Sequence, residues 1–186
     1  MKDMNLRTIG CVELNSVALG MLAADAMVKA AAVEIVIARP TCPGRYLVIV
    51  TGDTGAVESS VKAGRAAGGD LMVDWFTIPS VHPDVIPALS GTTQTGPIGA
   101  LGIIETCTAA SCILAADAAA KSALVSLIEI RIAAGLAGKA FVVMTGDVAS
   151  VESAVQSGVA GVGDAGPVLS HVVIPSPSPG LKAQLL

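Results

Sequence analysis

Apolar positions in this chain fall into short dense runs divided by Gly, Pro and polar turns. Ile9–Leu14 is a run of strand length. Val17–Ala31 has no proline, is rich in alanine and methionine with one internal glycine, and reads as a helix. Val33–Ala38 and Tyr46–Thr51 are continuous and β-branched, the pattern of buried strands. Asp53 stands at an N-cap position, its carboxylate expected on the free N–H groups of a helix over Gly55–Ala67, which Gly68-Gly69 ends. Met72–Ile78 reads as a last strand and Pro83–Leu89 as a short helix. The order β-α-β-β-α-β plus a terminal helix predicts an α/β (α+β) sandwich of ferredoxin-like topology. Its four-stranded sheet is mostly antiparallel, with helices on one face. The helix Val17–Ala31 is apolar nearly all round. It is either a tightly packed core helix or one whose small-residue face meets a neighbouring subunit, and both can hold.

The pattern then repeats: Ile9 to Leu89 recurs from Leu101 to Leu185. Gly10 and Glu13 match Gly102 and Glu105 at an offset of 92, as do Ala24-Asp25-Ala26, Lys29 and Arg39 with Ala116-Asp117-Ala118, Lys121 and Arg131. Further on the offset is 94, where Thr51-Gly52-Asp53 and Val57-Glu58-Ser59 meet Thr145-Gly146-Asp147 and Val151-Glu152-Ser153. It reaches 96 at Ile78-Pro79 and Ile174-Pro175. Two domains are expected, 1–90 and 98–186, joined by a polar, Gly- and Pro-bearing linker over 91–97. The copies part between their second and third strands. The first has Pro40-Thr41-Cys42-Pro43-Gly44; the second has Ile132–Gly138, which is two residues longer and has no thiol.

Hydrophobic residues make up 53% of the 186 positions and charged ones 14%, yet the longest uncharged stretches are broken by Pro, Gly, Ser or Thr, so no membrane span is expected. So poorly charged a surface suits a subunit that buries its flanks against copies of itself. A net charge of −4 with 2% aromatics argues against nucleic acid. No secretory h-region opens the chain, and none of the four cysteines forms C-x-x-C, so a cytosolic chain without a disulfide framework is expected. Enzyme signatures are thin. There are two histidines, His82 and His171, and no G-x-S-x-G, G-x-G-x-x-G or G-K-[ST]. Asp25, Asp117, Glu13 and Glu105 recur between the copies, which suggests roles in the fold. Cys11, Cys107 and Cys112 lie on strand or helix patterns, where free cysteine packs as a small hydrophobe. Cys42 alone sits in turn chemistry.

The repeated A-D-A-x-x-K (Ala24–Lys29, Ala116–Lys121), the T-G-D-x-x-x-V-E-S segments and the ending Ile78–Val85 together resemble the bacterial microcompartment (BMC) shell domain, twice over nearly the whole chain. The resemblance implies a tandem-domain shell protein, not an enzyme, whose homotrimer is a pseudohexameric tile with a central pore. Such a tile would lie in the shell of a cytoplasmic microcompartment, beside other BMC shell proteins. Cys42-Pro43-Gly44 in the first domain alone narrows the likeness to the iron–sulfur shell proteins of propanediol-utilisation compartments. That implies a [4Fe-4S] cluster at the pore, one per trimer, with Cys42 of each chain as ligand, passing electrons across the shell to a possible encapsulated redox enzyme. Thr41, Pro43 and Gly44 would shape the pore loop, with Ala134, Gly135 and Leu136 its counterpart in the second domain. Lys29 and Lys121 match the family's edge lysines, and His82 keeps an edge histidine, while Ser80, Ser176 and Ser178 replace residues that many members use at tile edges. One thiol per chain suits a three-fold axis, which makes three converging ligands of it. Two rival readings remain: a tile with a metabolite pore and no cluster, and a trimeric small-ligand sensor of ferredoxin-like fold.

Overall fold

The structure is a computed structural model and describes residues 8–94, 96–132, 135–163 and 167–185. The first copy runs β1 (Thr8–Leu14), α1 (Val17–Ala30), β2 (Val33–Thr41), β3 (Arg45–Gly52), α2 (Thr54–Gly68), β4 (Met72–Ile78) and α3 (Val85–Ser90). The second runs β5 (Ala100–Thr106), α4 (Ala109–Ser122), β6 (Val125–Ile132), β7 (Ala140–Gly146), α5 (Val148–Val162), β8 (Val168–Ile174) and α6 (Pro179–Lys182). Each copy forms one four-stranded antiparallel sheet, ordered β2-β3-β1-β4 and β6-β7-β5-β8. The same bulge interrupts both edge pairings, between Ile35 and Ile37 and between Leu127 and Glu129. The expected fold class is therefore the observed one.

Three local expectations are corrected. The second strand continues to Thr41, because Arg39, Pro40 and Thr41 keep extended pairing with Leu47, Tyr46 and Arg45; proline is tolerated on such an edge strand. The helix after β4 starts at Val85, two residues late, since the His82 carbonyl and Asp84 form the turn that opens it. Asp53 is the N-cap of α2 by position only, as its side chain makes no capping bond. In the second copy Asp147 does cap, accepting from the Ser150 backbone N–H at 2.9 Å and its hydroxyl at 2.6 Å. The Ser150 hydroxyl holds the Asp147 carboxyl below the usual range. Ala56 stands at the matching place and offers no hydroxyl; there Thr54 instead bonds Thr8 on β1 at 2.7 Å.

The chain divides into two compact units, residues 1–81 with 133–138, and residues 82–132 with 139–186. In the first unit α1 and α2 cover one face of the sheet around Val12, Leu14, Met27, Tyr46, Val48, Val57 and Val61. The buried Ser60 hydroxyl ties the two helices by donating to the Met27 carbonyl at 3.0 Å. In the second unit the sheet face away from its helices carries its own cluster of Ile98, Leu101, Ile128 and Val143, with Leu185 packed against it. Two polar ties hold that cover. The Thr93 hydroxyl donates to the Ile128 carbonyl at 2.6 Å and Lys182 to the Ile98 carbonyl at 2.7 Å. Among the described residues no helix is long and apolar enough to cross a membrane.

Candidate functional site

Cys42 is at the tip of the β2–β3 hairpin. Thr41 and Arg45 are the last paired residues, so only Cys42, Pro43 and Gly44 make the turn. All three are exposed. The Gly44 N–H closes the turn on the Thr41 carbonyl at 3.0 Å, and Gly44 has φ +89°, a region that suits glycine. The Thr41 hydroxyl oxygen is buried with no hydrogen-bond partner among the described residues. A polar atom in that state is costly unless something answers it, and Thr41 immediately precedes Cys42 in the chain.

The base of this hairpin is pinned. The Glu13 carboxylate on β1 is fully buried and receives Arg45 Nη1 at 2.8 Å, while the Arg45 side chain keeps 20% exposure. The same nitrogen donates to the Gly138 carbonyl at 3.3 Å. Gly138 has φ +90°, and a Cβ there would stand 3.1 Å from Arg45 Cζ and 3.2 Å from Pro43 Cδ. So the end of the second copy's β6–β7 connection lies against the base of the Cys42 turn. Gly135 and Leu136 belong to that connection, exposed and half-buried respectively; Ala134 lies outside the described residues. Sequence reasoning missed this arginine clamp. Its trace was present in the repeat, because Arg45 and Lys139 are both basic at an offset of 94 and face Glu13 and Glu105.

Two of the remaining thiols are unsuited to a metal. Cys11 and Cys112 are wholly buried, and burial pushes both thiols well up; at Cys11 the charges of Glu13 and Asp74 push the same way. They stay protonated, and a protonated thiol is a poor ligand. Cys107 is half-buried just before α4. Among the described residues no three His, Cys, Asp or Glu side chains gather as a metal site. The donor that is exposed is thus the Cys42 thiol, one per chain, on a short turn. It fits such a group if several chains converge, and not otherwise.

Matched positions of the two copies differ sharply in burial. Met21, Ile35 and Val36 are 56%, 46% and 36% exposed, whereas their counterparts Ile113, Leu127 and Ile128 are 0%, 1% and 6% exposed. The last strands show the reverse: Phe76 on β4 is 4% exposed and Val172 on β8 is 48% exposed. One polar contact follows the same split. Asp117 is buried and accepts the His82 backbone N–H at 2.8 Å and Lys121 Nζ at 2.6 Å. Asp25 has only Lys29 at 2.6 Å, in an exposed pair. Lys29 and Lys121 therefore sit in the last turns of equivalent helices, each on an aspartate one turn back. His82 is half-buried before α3, where its Nδ1 accepts the Asp84 N–H at 3.3 Å.

The chain was compared with known proteins. The BMC domain matches residues 8–81 and 100–177. The bacterial microcompartment shell protein PduT of Citrobacter freundii is 38% identical over 180 residues, 97% of this chain and 98% of that protein. The carboxysome shell protein CsoS1 of Synechococcus sp. (strain WH7803) is 41% identical over 92 residues, 47% of this chain and 88% of its own length. Among solved structures, a microcompartment protein from Desulfitobacterium hafniense superposes with a TM-score of 0.85 at 52% identity, covering 95% of this chain and 98% of that one. The fused permuted hexameric shell protein MSM0275 shares the fold at 20% identity and a TM-score of 0.63, over 84% of this chain and 81% of that one.

Proposed function

The chain belongs to the BMC domain family and is a structural shell protein of a bacterial microcompartment, and we propose that it forms a homotrimeric tile with a [4Fe-4S] cluster on the three-fold axis, held by one Cys42 from each copy. The observation that carries this reading is the exposed thiol on a pinned three-residue turn in one copy of the domain and not in the other. Three such turns meeting on an axis supply three thiolates, leaving the fourth iron to a non-protein ligand. Six identical domains would supply six thiols or none. Cys42 holds the cluster; Thr41, Pro43 and Gly44 shape its seat. The Gly135 and Leu136 segments would fill the alternate positions around the pore. When bound, the group supplies one-electron transfer, which would connect the two sides of the shell and serve an encapsulated redox enzyme.

Trimer formation is supported by the burial difference between the copies. An apolar face whose repeat counterpart is buried suits a second copy, and the exposed β8 strand offers it a surface. In the ring, the face of Met21, Ile35 and Val36 receives β8 of the next chain, and Asp25 accepts a backbone N–H near Ser178, as Asp117 accepts that of His82. Head-to-tail contacts of this kind close into rings. Lys29, Lys121 and His82 are left for contacts with neighbouring tiles, of this chain or of companion shell proteins.

The test is anaerobic purification with iron and sulfide analysis. Four irons and four sulfides per trimer are expected, lost in Cys42→Ser with the trimer intact. A wild-type trimer that stays colourless after cluster reconstitution overturns the cluster and leaves a tile with a thiol-lined metabolite pore. A monomeric wild type overturns the tile.

A further inference from the structure

We propose that Arg45 is the positioning residue for Cys42: its bond to the buried Glu13 and its contact with Gly138 hold the turn in the one conformation that presents the thiol. This rests on the cluster reading for its ligand, but its geometry stands in a single chain. Arg45 is the first residue after the turn and half of the hairpin's closing pair with Thr41. One guanidinium nitrogen, Nη1, donates to Glu13 at 2.8 Å and to the Gly138 carbonyl at 3.3 Å. A charged pair with its carboxylate fully buried cannot swap its partner for water, so the arginine stays in place. The backbone either side of Gly44 is then fixed from below by Arg45 and closed from above by the Gly44–Thr41 bond.

The second copy shows what the same position looks like when no ligand turn needs holding. Lys139 stands where Arg45 does and meets Glu105 at 3.9 Å, with 47% and 34% side-chain exposure. An ammonium at that distance in solvent gives little restraint, whereas Arg45 Nη1 bonds a fully buried carboxylate at 2.8 Å. Three ligands on one cluster each pay the cost of ordering their turn, so a restraint on every turn counts three times in cluster retention. Gly138 completes the seat. Any side chain there would press on Arg45 and Pro43, so the second copy's connection is kept clear of the turn.

The decisive variant is Arg45→Lys, which keeps the charge and copies the second domain. Arg45→Met with Glu13→Leu removes both buried charges together and tests the same point if the lysine variant folds poorly. In the apo protein, hydrogen exchange at the Gly44 amide should quicken about tenfold in either variant, with the trimer and melting temperature close to wild type. In the reconstituted protein, cluster loss to an iron chelator should quicken about tenfold, and the reduced cluster's electron paramagnetic resonance lines should broaden as the thiolates spread over several positions. Unchanged Gly44 exchange, or an unchanged loss rate and line shape in coloured protein, overturns the role of Arg45. A colourless wild type with faster Gly44 exchange in the variants overturns the cluster and leaves Arg45 as the restraint on the turn.

Discussion

The Cys42 hairpin and the Gly135–Gly138 connection occupy the same place in two copies of one sheet, and they are built to opposite ends. The first is a three-residue turn over a buried arginine–glutamate pair, with a thiol at its tip. The second is longer, glycine-rich and thiol-free, over a loose lysine–glutamate pair. A duplicated domain can thus keep its strands and assign different work to its tips. The same lesson holds on the flanks. Equivalent helices carry equivalent aspartates and lysines, but one aspartate is buried on a backbone N–H and the other waits in solvent.

The comparison breaks most visibly at the pinned pair. Arg45→Ala leaves Glu13 buried without a counter-charge and should cost about 3–5 kcal/mol, while Lys139→Ala should cost less than about 0.5 kcal/mol. Chemical denaturation of both variants checks this, and equal losses would mean that the two bases do not differ. The aspartates come next. Asp117→Ala removes the acceptor of a partly buried backbone N–H and should destabilise the fold by about 1 kcal/mol. Asp25→Ala should leave the melting of the isolated chain unchanged and weaken self-association by about tenfold, if its partner lies on a second copy. Analytical ultracentrifugation over a dilution series reads the second effect. The smallest difference is at the helix caps. Asp147→Ala should cost about 1 kcal/mol and Asp53→Ala less than half of that, read as a difference in thermal midpoint.

Much of this was legible in the sequence for a physical reason. Strand and helix periodicities are local, and the offsets of 92, 94 and 96 locate every loop where the copies diverge. Cys42 stood out because turn residues surround it. Burial was not legible. Val17–Ala31 and Ala109–Ser122 are both apolar nearly all round, so nothing in either helix says that Met21 is exposed and Ile113 is not. The clamp was hidden because Glu13 and Arg45 are 32 residues apart and meet only through β1–β3 pairing. The missing cap at Asp53 was not legible either, because the sequence has an aspartate at the N-cap of both helices and only Asp147 makes the bond.

The seat at Gly138 has a consequence for how such a chain changes over generations. Two copies of a domain are ordinarily free to drift apart, each answering to its own core. Here position 138 of the second copy is answerable to position 45 of the first, since any Cβ at 138 must find room against the guanidinium. A side chain there asks the guanidinium to shift, and with it the nitrogen that answers Glu13. The duplication is therefore fused not only in its peptide chain but in its permitted substitutions.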